Sequence, residues 1–135
     1  MTWKPVTSDS PWEKKGAFSR ALYDDDWVFV SGTTGFDYSA MTISEDFSDQ
    51  VRQTLKNIDA ALKKAGSHLG EIVSQVVYVT DRKNVSLLSP VLKEMLPQRP
   101  TATCVIVQLV DERMKVEISV VARRHATIEA TVPAG

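Results

Sequence analysis

The chain has 135 residues, 43% hydrophobic and 24% charged, a length that argues for one domain over 1–135 because single cores run to roughly 100–150 residues. Its 16 basic and 17 acidic side chains leave a net charge of −1, which offers no large field to nucleic acid or an anionic membrane. The single Cys104 excludes an intramolecular disulfide and any multi-thiolate zinc or iron–sulfur site, and two isolated histidines, His68 and His125, suggest no metal centre.

The N-terminal stretch 1–16 has no apolar run behind its positive charges, so no signal peptide is visible, and no window approaches the roughly 18–20 apolar residues of a membrane span. A cytoplasmic protein is the resulting expectation. Trp3 and Trp12 fall in this irregular stretch and are read as packing residues. Phe18 to Tyr23 reads as a short strand, ended by a turn at Asp24-Asp25-Asp26. Trp27 to Gly32 is dense in aromatic and β-branched residues and reads as a second strand, apolar enough for burial on both faces. It stops at Gly32-Thr33-Thr34-Gly35, where two glycines permit tight backbone geometry or close approach of a ligand.

Phe47, Val51, Leu55, Ile58 and Leu62 recur at three- and four-residue spacing and predict an amphipathic helix. Thr42 with Glu45 fits a capping box, Ser44 is a rival cap, and Gly66 is a natural stop. Asp49, Arg52, Lys56, Asp59 and Lys63 form its solvated face. Ile72 to Thr80 reads as the next strand. Leu87, Leu88, Val91, Leu92 and Met95 predict a second helix, with Pro90 tolerated early in it and Pro97 and Pro100 closing it. Ala102 to Leu109 and Met114 to Ala122 read as two final strands joined by a turn at Val110 to Arg113, and 123–135 reads as a poorly patterned tail. The order ββ, α, β, α, ββ favours an α+β domain, a mainly antiparallel sheet with both helices on one face. The apolar runs at Val28–Val30 and Val76–Val79 then hint at subunit association on the other face.

In the last strand Val116, Ile118 and Val120 alternate with Glu117, Ser119 and Val121, so Glu117 leaves the apolar face. A carboxylate there belongs to an exposed surface or salt bridge, or to a partly desolvated cleft where its raised pKa would let it manage a proton. No G-x-S-x-G nucleophile, dinucleotide-binding glycine motif or Walker loop is present. Cys104, inside an apolar strand, reads as a buried small hydrophobe rather than a reactive thiolate.

Several pieces then form an ordered set: Gly16-Ala17-Phe18-Ser19-Arg20-Ala21, Val28 to Gly32, a helix with Gln53 and Asn57, Val77 to Asp81, Arg99 to Val105, and Lys115-Val116-Glu117-Ile118. In that order, over about 16–122, the chain resembles the RidA/YjgF family of reactive-intermediate deaminases, formerly called endoribonuclease L-PSP. The resemblance implies a chorismate-mutase-like α+β fold, a homotrimer with clefts between subunits, and hydrolysis of enamines and imines to ammonia and a keto acid without metal or cofactor. It also implies an arginine that clamps the substrate carboxylate and a glutamate that positions or activates water. The glutamate falls on Glu117 and the cleft-lining pair on Ser31 and Gly32. The aromatic of the first strand, usually tyrosine, falls on Phe18, and a polar position of the second helix falls near Ser89. The arginine position, two residues before Cys104, falls on Ala102, so the chain resembles the arginine-lacking branch of the family.

Alanine supplies none of an arginine's bidentate contact. The expected function is therefore hydrolysis of an enamine, imine or related small metabolite whose carboxylate is absent or held elsewhere. The alternatives are a metabolite-binding or regulatory trimer and, third, an endoribonuclease, which near-neutral charge and the lack of a catalytic histidine disfavour. Arg20 shares a strand face with Phe18 and is a candidate for the lost charge, unless it pairs with an acid such as Glu117 or faces solvent; Arg99 is a second candidate.

Overall fold

In the computed structural model, residues 1–129 are described. The elements are β1 (Lys4–Val6), α1 (Pro11–Gly16), β2 (Ala21–Tyr23), β3 (Trp27–Thr34), β4 (Phe36–Asp37), β5 (Thr42–Ile43), α2 (Phe47–Lys64), β6 (Ile72–Val79), α3 (Leu88–Met95), β7 (Thr101–Ile106) and β8 (Val116–Arg123). Six strands form one sheet in the order β1-β2-β3-β8-β6-β7, and β4-β5 is a separate small hairpin. All neighbours in the large sheet are antiparallel except β6 and β7, which α3 links as a parallel crossover. The expected α+β class and mainly antiparallel sheet are what the chain adopts.

The stripe Phe47, Val51, Leu55, Ile58 and Leu62 is buried, and it packs with α3 on the sheet residues Val28, Val30, Val77, Val79, Ile118 and Val120. Burying each such side chain contributes about 1.5–3 kcal/mol. The helix begins at neither Thr42 nor Ser44. Asp46 is its N-cap, accepting from the Asp49 N–H at 2.9 Å, while Thr42 belongs to β5. Asp46 prevails because it directly precedes the first helical residue, where its carboxylate meets an unpaired N–H and the positive end of the dipole. Gly66, at φ +74°, follows the C-cap Ala65, as the stop signal required.

Four strand expectations need correction. β2 starts only at Ala21, because Ala17 at the end of α1 takes φ +55° and the chain is still turning through Phe18 and Ser19. The turn at 110–113 makes no β7–β8 hairpin: β8 inserts between β3 and β6, and β7 pairs only with β6. β7 is thus an edge strand beyond the helix layer, and for that reason Cys104 is exposed rather than buried. Likewise β3 buries Val28 and Val30 but leaves Phe29, 49% accessible, on the face away from the helices with Leu22 and Trp27. Trp3 covers part of that face, edge-on to Phe29 at 5.7 Å, so its packing role holds. The start of the tail is tied down, since Arg124 donates to the Asp24 carbonyl at 2.9 Å. The remainder, 130–135, lies outside the described residues.

The β3–β8 register shows one feature that matters for function. Val30 pairs with Val120 but Thr33 with Ile118, so β3 carries one extra residue, a bulge at Ser31–Gly32. Thr34 then stands opposite Glu117. Just beyond, Gly35 lies so close to α2 that a Cβ would fall 2.7 Å from the Gln50 carbonyl oxygen. Asn57 of α2 locks this corner, donating to the Thr34 and Phe36 carbonyls at 2.9 Å each, and is itself held by Gln53.

Candidate functional site

The strand parity read from sequence holds: Glu117 leaves the core face of β8 and enters a cavity of about 380 Å³. Gly32 in the bulge forms the wall beside it, and a Cβ on Gly32 would lie 2.7 Å from Glu117 Oε2. Only glycine leaves the carboxylate its present place. Phe18, Arg20, Tyr38, Met114 and Trp12 supply most of the remaining lining, with Lys15 and the exposed Val110 at the rim. Burial pushes the Glu117 carboxyl above the usual carboxylate range, and the Arg20 charge holds part of that rise back. Burial also raises the Tyr38 phenol. A half-buried carboxylate beside apolar and aromatic walls is suited to taking a proton from water and returning it to a leaving amine.

Arg20 lines the cavity, yet its side chain is only 3% exposed and its charge is paired with Glu13, Nε to Oε2 at 3.3 Å. Its Nη1 donates to the Gly32 carbonyl at 2.8 Å and to Thr33 Oγ1 at 3.0 Å. The acid that takes it is therefore Glu13, not Glu117, and it is not a free clamp for a ligand carboxylate. The guanidinium also lies over the Phe18 and Tyr38 rings, 5.3 and 5.7 Å from their centroids.

The other expected site residues do not converge here within one chain. The Ser31 hydroxyl donates to the Ser19 carbonyl at 2.7 Å, and Ser31 lines a neighbouring open depression with Phe18, Leu22 and Phe29. Ser89 and Arg99 line a different depression at the far side of the sheet, with Gln75 and Pro100. Ala102 and Cys104 sit on the edge strand β7, opposite Gln75 and Val77, both exposed. Phe18, Arg20, Gly32 and Glu117 thus line one cavity, and Ser31, Ser89, Ala102 and Cys104 are not among its lining residues.

Trp12, Glu13 and Tyr38 were not legible as site residues. A signal for the first two was present, because Ser10-Pro11-Trp12-Glu13 has the S-x-x-E spacing with proline at the first helical position, and Ser10 does cap α1. Six residues of helix are too few to show a stripe. Trp12 packs on Phe36, ring centroids 6.3 Å apart, while its buried indole N–H has no partner among the described residues. Tyr38 comes from the β4–β5 hairpin, which the sequence reading passed over.

The sequence model of the family described as Endoribonuclease L-PSP matches residues 8–124. The chain belongs to this family, the RidA/YjgF family. Among its curated relatives, a 2-iminobutanoate/2-iminopropanoate deaminase of Salmonella typhimurium is 30% identical over 102 residues, covering 73% of this chain and 80% of that protein. Among solved structures, a YjgF/YER057c/UK114 family member from Mycobacterium tuberculosis superposes with a TM-score of 0.82 at 31% identity, covering 90% of this chain and 99% of the other. RidA from an Antarctic Psychrobacter gives 0.80 at 28%, covering 89% and 98%. No helix among the described residues is long and apolar enough to cross a membrane.

Proposed function

We propose that this member hydrolyses a small enamine or imine, with Glu117 managing the attacking water and the departing ammonia. The single observation that carries the reading is the half-buried Glu117 carboxylate, with its raised pKa, seated on Gly32 in a cavity lined by Phe18, Tyr38 and Met114. The deaminase named among its relatives supports the reaction class. In this reading Glu117 takes a proton from water as the oxygen adds to the imine carbon and passes it to the nitrogen, giving a carbinolamine. It then takes the carbinolamine hydroxyl proton and delivers it to the amine as the C–N bond breaks and the C=O bond forms. The products are a carbonyl compound and ammonia.

The proposed working unit is a homotrimer. The exposed Leu22, Trp27 and Phe29 on the sheet face, and the uncovered edge strand β7, support association. A cleft between subunits would let Ser89, Ala102 and Cys104 of one chain approach Phe18, Ser31, Gly32 and Glu117 of the next. Two facts support a substrate without a carboxylate at the reacting end. Ala102 stands where the resemblance places an arginine, and Arg20 is already paired with Glu13. The same Ala102 supports the second reading, a trimer that binds a neutral metabolite without turning it over.

Ammonia release from a panel of freshly generated imines, neutral and carboxylated, separates the two, with Glu117→Ala as control. Turnover on neutral imines that is lost in the variant supports the hydrolase. Ligand-dependent thermal stabilisation without turnover supports the binder.

A further inference from the structure

Arg20 and Glu13 form an ion pair whose side chains are 3% and 6% exposed. Withdrawing both charges from water carries a large desolvation cost, so such a pair is a poor device for stability alone. Its geometry shows what else it does. The guanidinium binds the Gly32 carbonyl and Thr33 Oγ1, and the Thr33 hydroxyl in turn donates to the Ser31 carbonyl at 2.8 Å. Gly32 and Thr33 are therefore tied directly to one side chain, and Ser31 through the Thr33 hydroxyl. Glu13 fixes the other end, because it also accepts from the Ser8 N–H at 3.0 Å and from the Ser8 hydroxyl. The Arg20 carbonyl accepts from the Ser31 N–H at 2.9 Å, closing the ring from the backbone side.

We propose that Arg20, held by Glu13, is a positioning residue for Glu117: it fixes the Ser31–Gly32 bulge on which the Glu117 carboxylate rests. The inference depends on Glu117 being the working group, as set out above, and it adds the parts that set that group's place. Arg20 acts through Gly32 and needs no contact with substrate. Without the bulge, the side chains of residues 33 and 34 would each turn to the other face of the sheet, since strand side chains alternate. A bulge without the guanidinium would leave the Gly32 carbonyl and Thr33 hydroxyl without the donor they now share.

Arg20 also supplies field. The charged and titratable groups around Glu117 are Arg20 from the segment before β2, Tyr38 from the β4–β5 hairpin, Lys15 at the α1 rim, Tyr78 opposite it on β6, and Glu13 behind Arg20. Of these, Arg20 is the one that opposes the effect of burial on Glu117. One side chain thus sets both the seat and the charge of the carboxylate, and two variants can separate the roles. Arg20→Gln removes both, whereas Arg20→Lys keeps a charge and loses the planar fork.

The test follows the Glu117 side-chain carboxyl by carbon NMR through a pH titration, with amide exchange at Thr33, Thr34 and Ile118 and, for reference, in α2. In Arg20→Gln the Glu117 midpoint moves upward and the bulge amides exchange at least about tenfold faster, as expected for losing hydrogen bonds to a charged group, while α2 changes less. In Arg20→Lys the exchange at the bulge rises similarly and the midpoint stays near that of the wild type. Should Arg20→Gln not fold, the local exchange in Arg20→Lys decides. Where the protein turns over an imine, both variants lower kcat and leave KM within about twofold. A midpoint and bulge exchange that do not move, or exchange that rises equally at the bulge and in α2, would overturn the proposal. These readings need no turnover, so an inactive wild type would refute the hydrolase and leave the positioning role decided on its own.

Discussion

Gly32→Ala is the substitution whose consequence the structure fixes most closely. The added Cβ falls 2.7 Å from Glu117 Oε2, 2.9 Å from Cδ and 3.3 Å from Cγ, whereas ordinary contact begins near 3.4 Å. The obstructing atoms are the free end of a half-buried side chain, so the carboxylate yields and the backbone stays. It must retreat by about 0.7 Å to restore van der Waals distance. A displacement near 1 Å costs roughly 100-fold in a positioned reaction, so kcat should fall about 10- to 100-fold, or about 1.4–2.7 kcal/mol of barrier. Stability should change by less than about 1 kcal/mol, because no core contact is lost. Steady-state ammonia release with a urea unfolding curve on the same preparation checks both numbers. Glu117→Asp withdraws the carboxylate by one methylene, so in the double variant the two losses should be less than additive. A Gly32→Ala protein with native stability and kcat within twofold of the wild type would show that the carboxylate's seat does not matter, and would refute the reasoning.

Three further outcomes follow from the same geometry. Glu117 has a folded-state pKa above its unfolded value, so its ionisation weakens the folded state as pH rises through that window. Glu117→Gln should therefore melt higher than wild type at neutral pH, and the difference should vanish in acid below the unfolded pKa; thermal unfolding across pH reads this directly. Ala102 is exposed on β7, so Ala102→Arg should fold normally and raise kcat/KM on carboxylated imines by a few-fold, with more when Phe18→Tyr is added, while neutral imines are unaffected. Sedimentation at micromolar concentration should give about three chains, and Phe29→Lys, which puts a charge on the uncovered sheet face, should shift the population toward monomer.

What the sequence made legible, and what it hid, divides along a physical line. The α2 stripe and the parity of β8 are local periodicities of 3.6 and 2, so the buried face of Phe47 to Leu62 and the exit of Glu117 from the core could be read directly. Gly32 and Gly35 were legible as sites of tight backbone geometry or of close approach by a ligand, but what approaches them is a side chain from β8 in one case and the α2 backbone in the other. The Arg20–Glu13 pair spans seven residues across a left-handed turn at Ala17, a spacing with no periodic signature. Strand order was hidden for a similar reason. β8 is the last strand among the described residues and central in the sheet, and its pairing with β3 and β6 rests on residues about 40 to 95 positions away. Cys104 shows the limit of composition: an apolar strand at a sheet edge has the same residues as one in the middle.

The most direct measurement of the central claim is kcat/KM for ammonia release from a neutral, freshly generated imine by the wild-type protein and by Glu117→Gln, which keeps the side chain's shape and removes its basicity. A working Glu117 predicts measurable wild-type turnover and a loss of about 100-fold or more in the variant, the scale of a positioned acid–base group. Equal rates in the two proteins, or no turnover by the wild type above the uncatalysed rate on any imine of the panel, would contradict it.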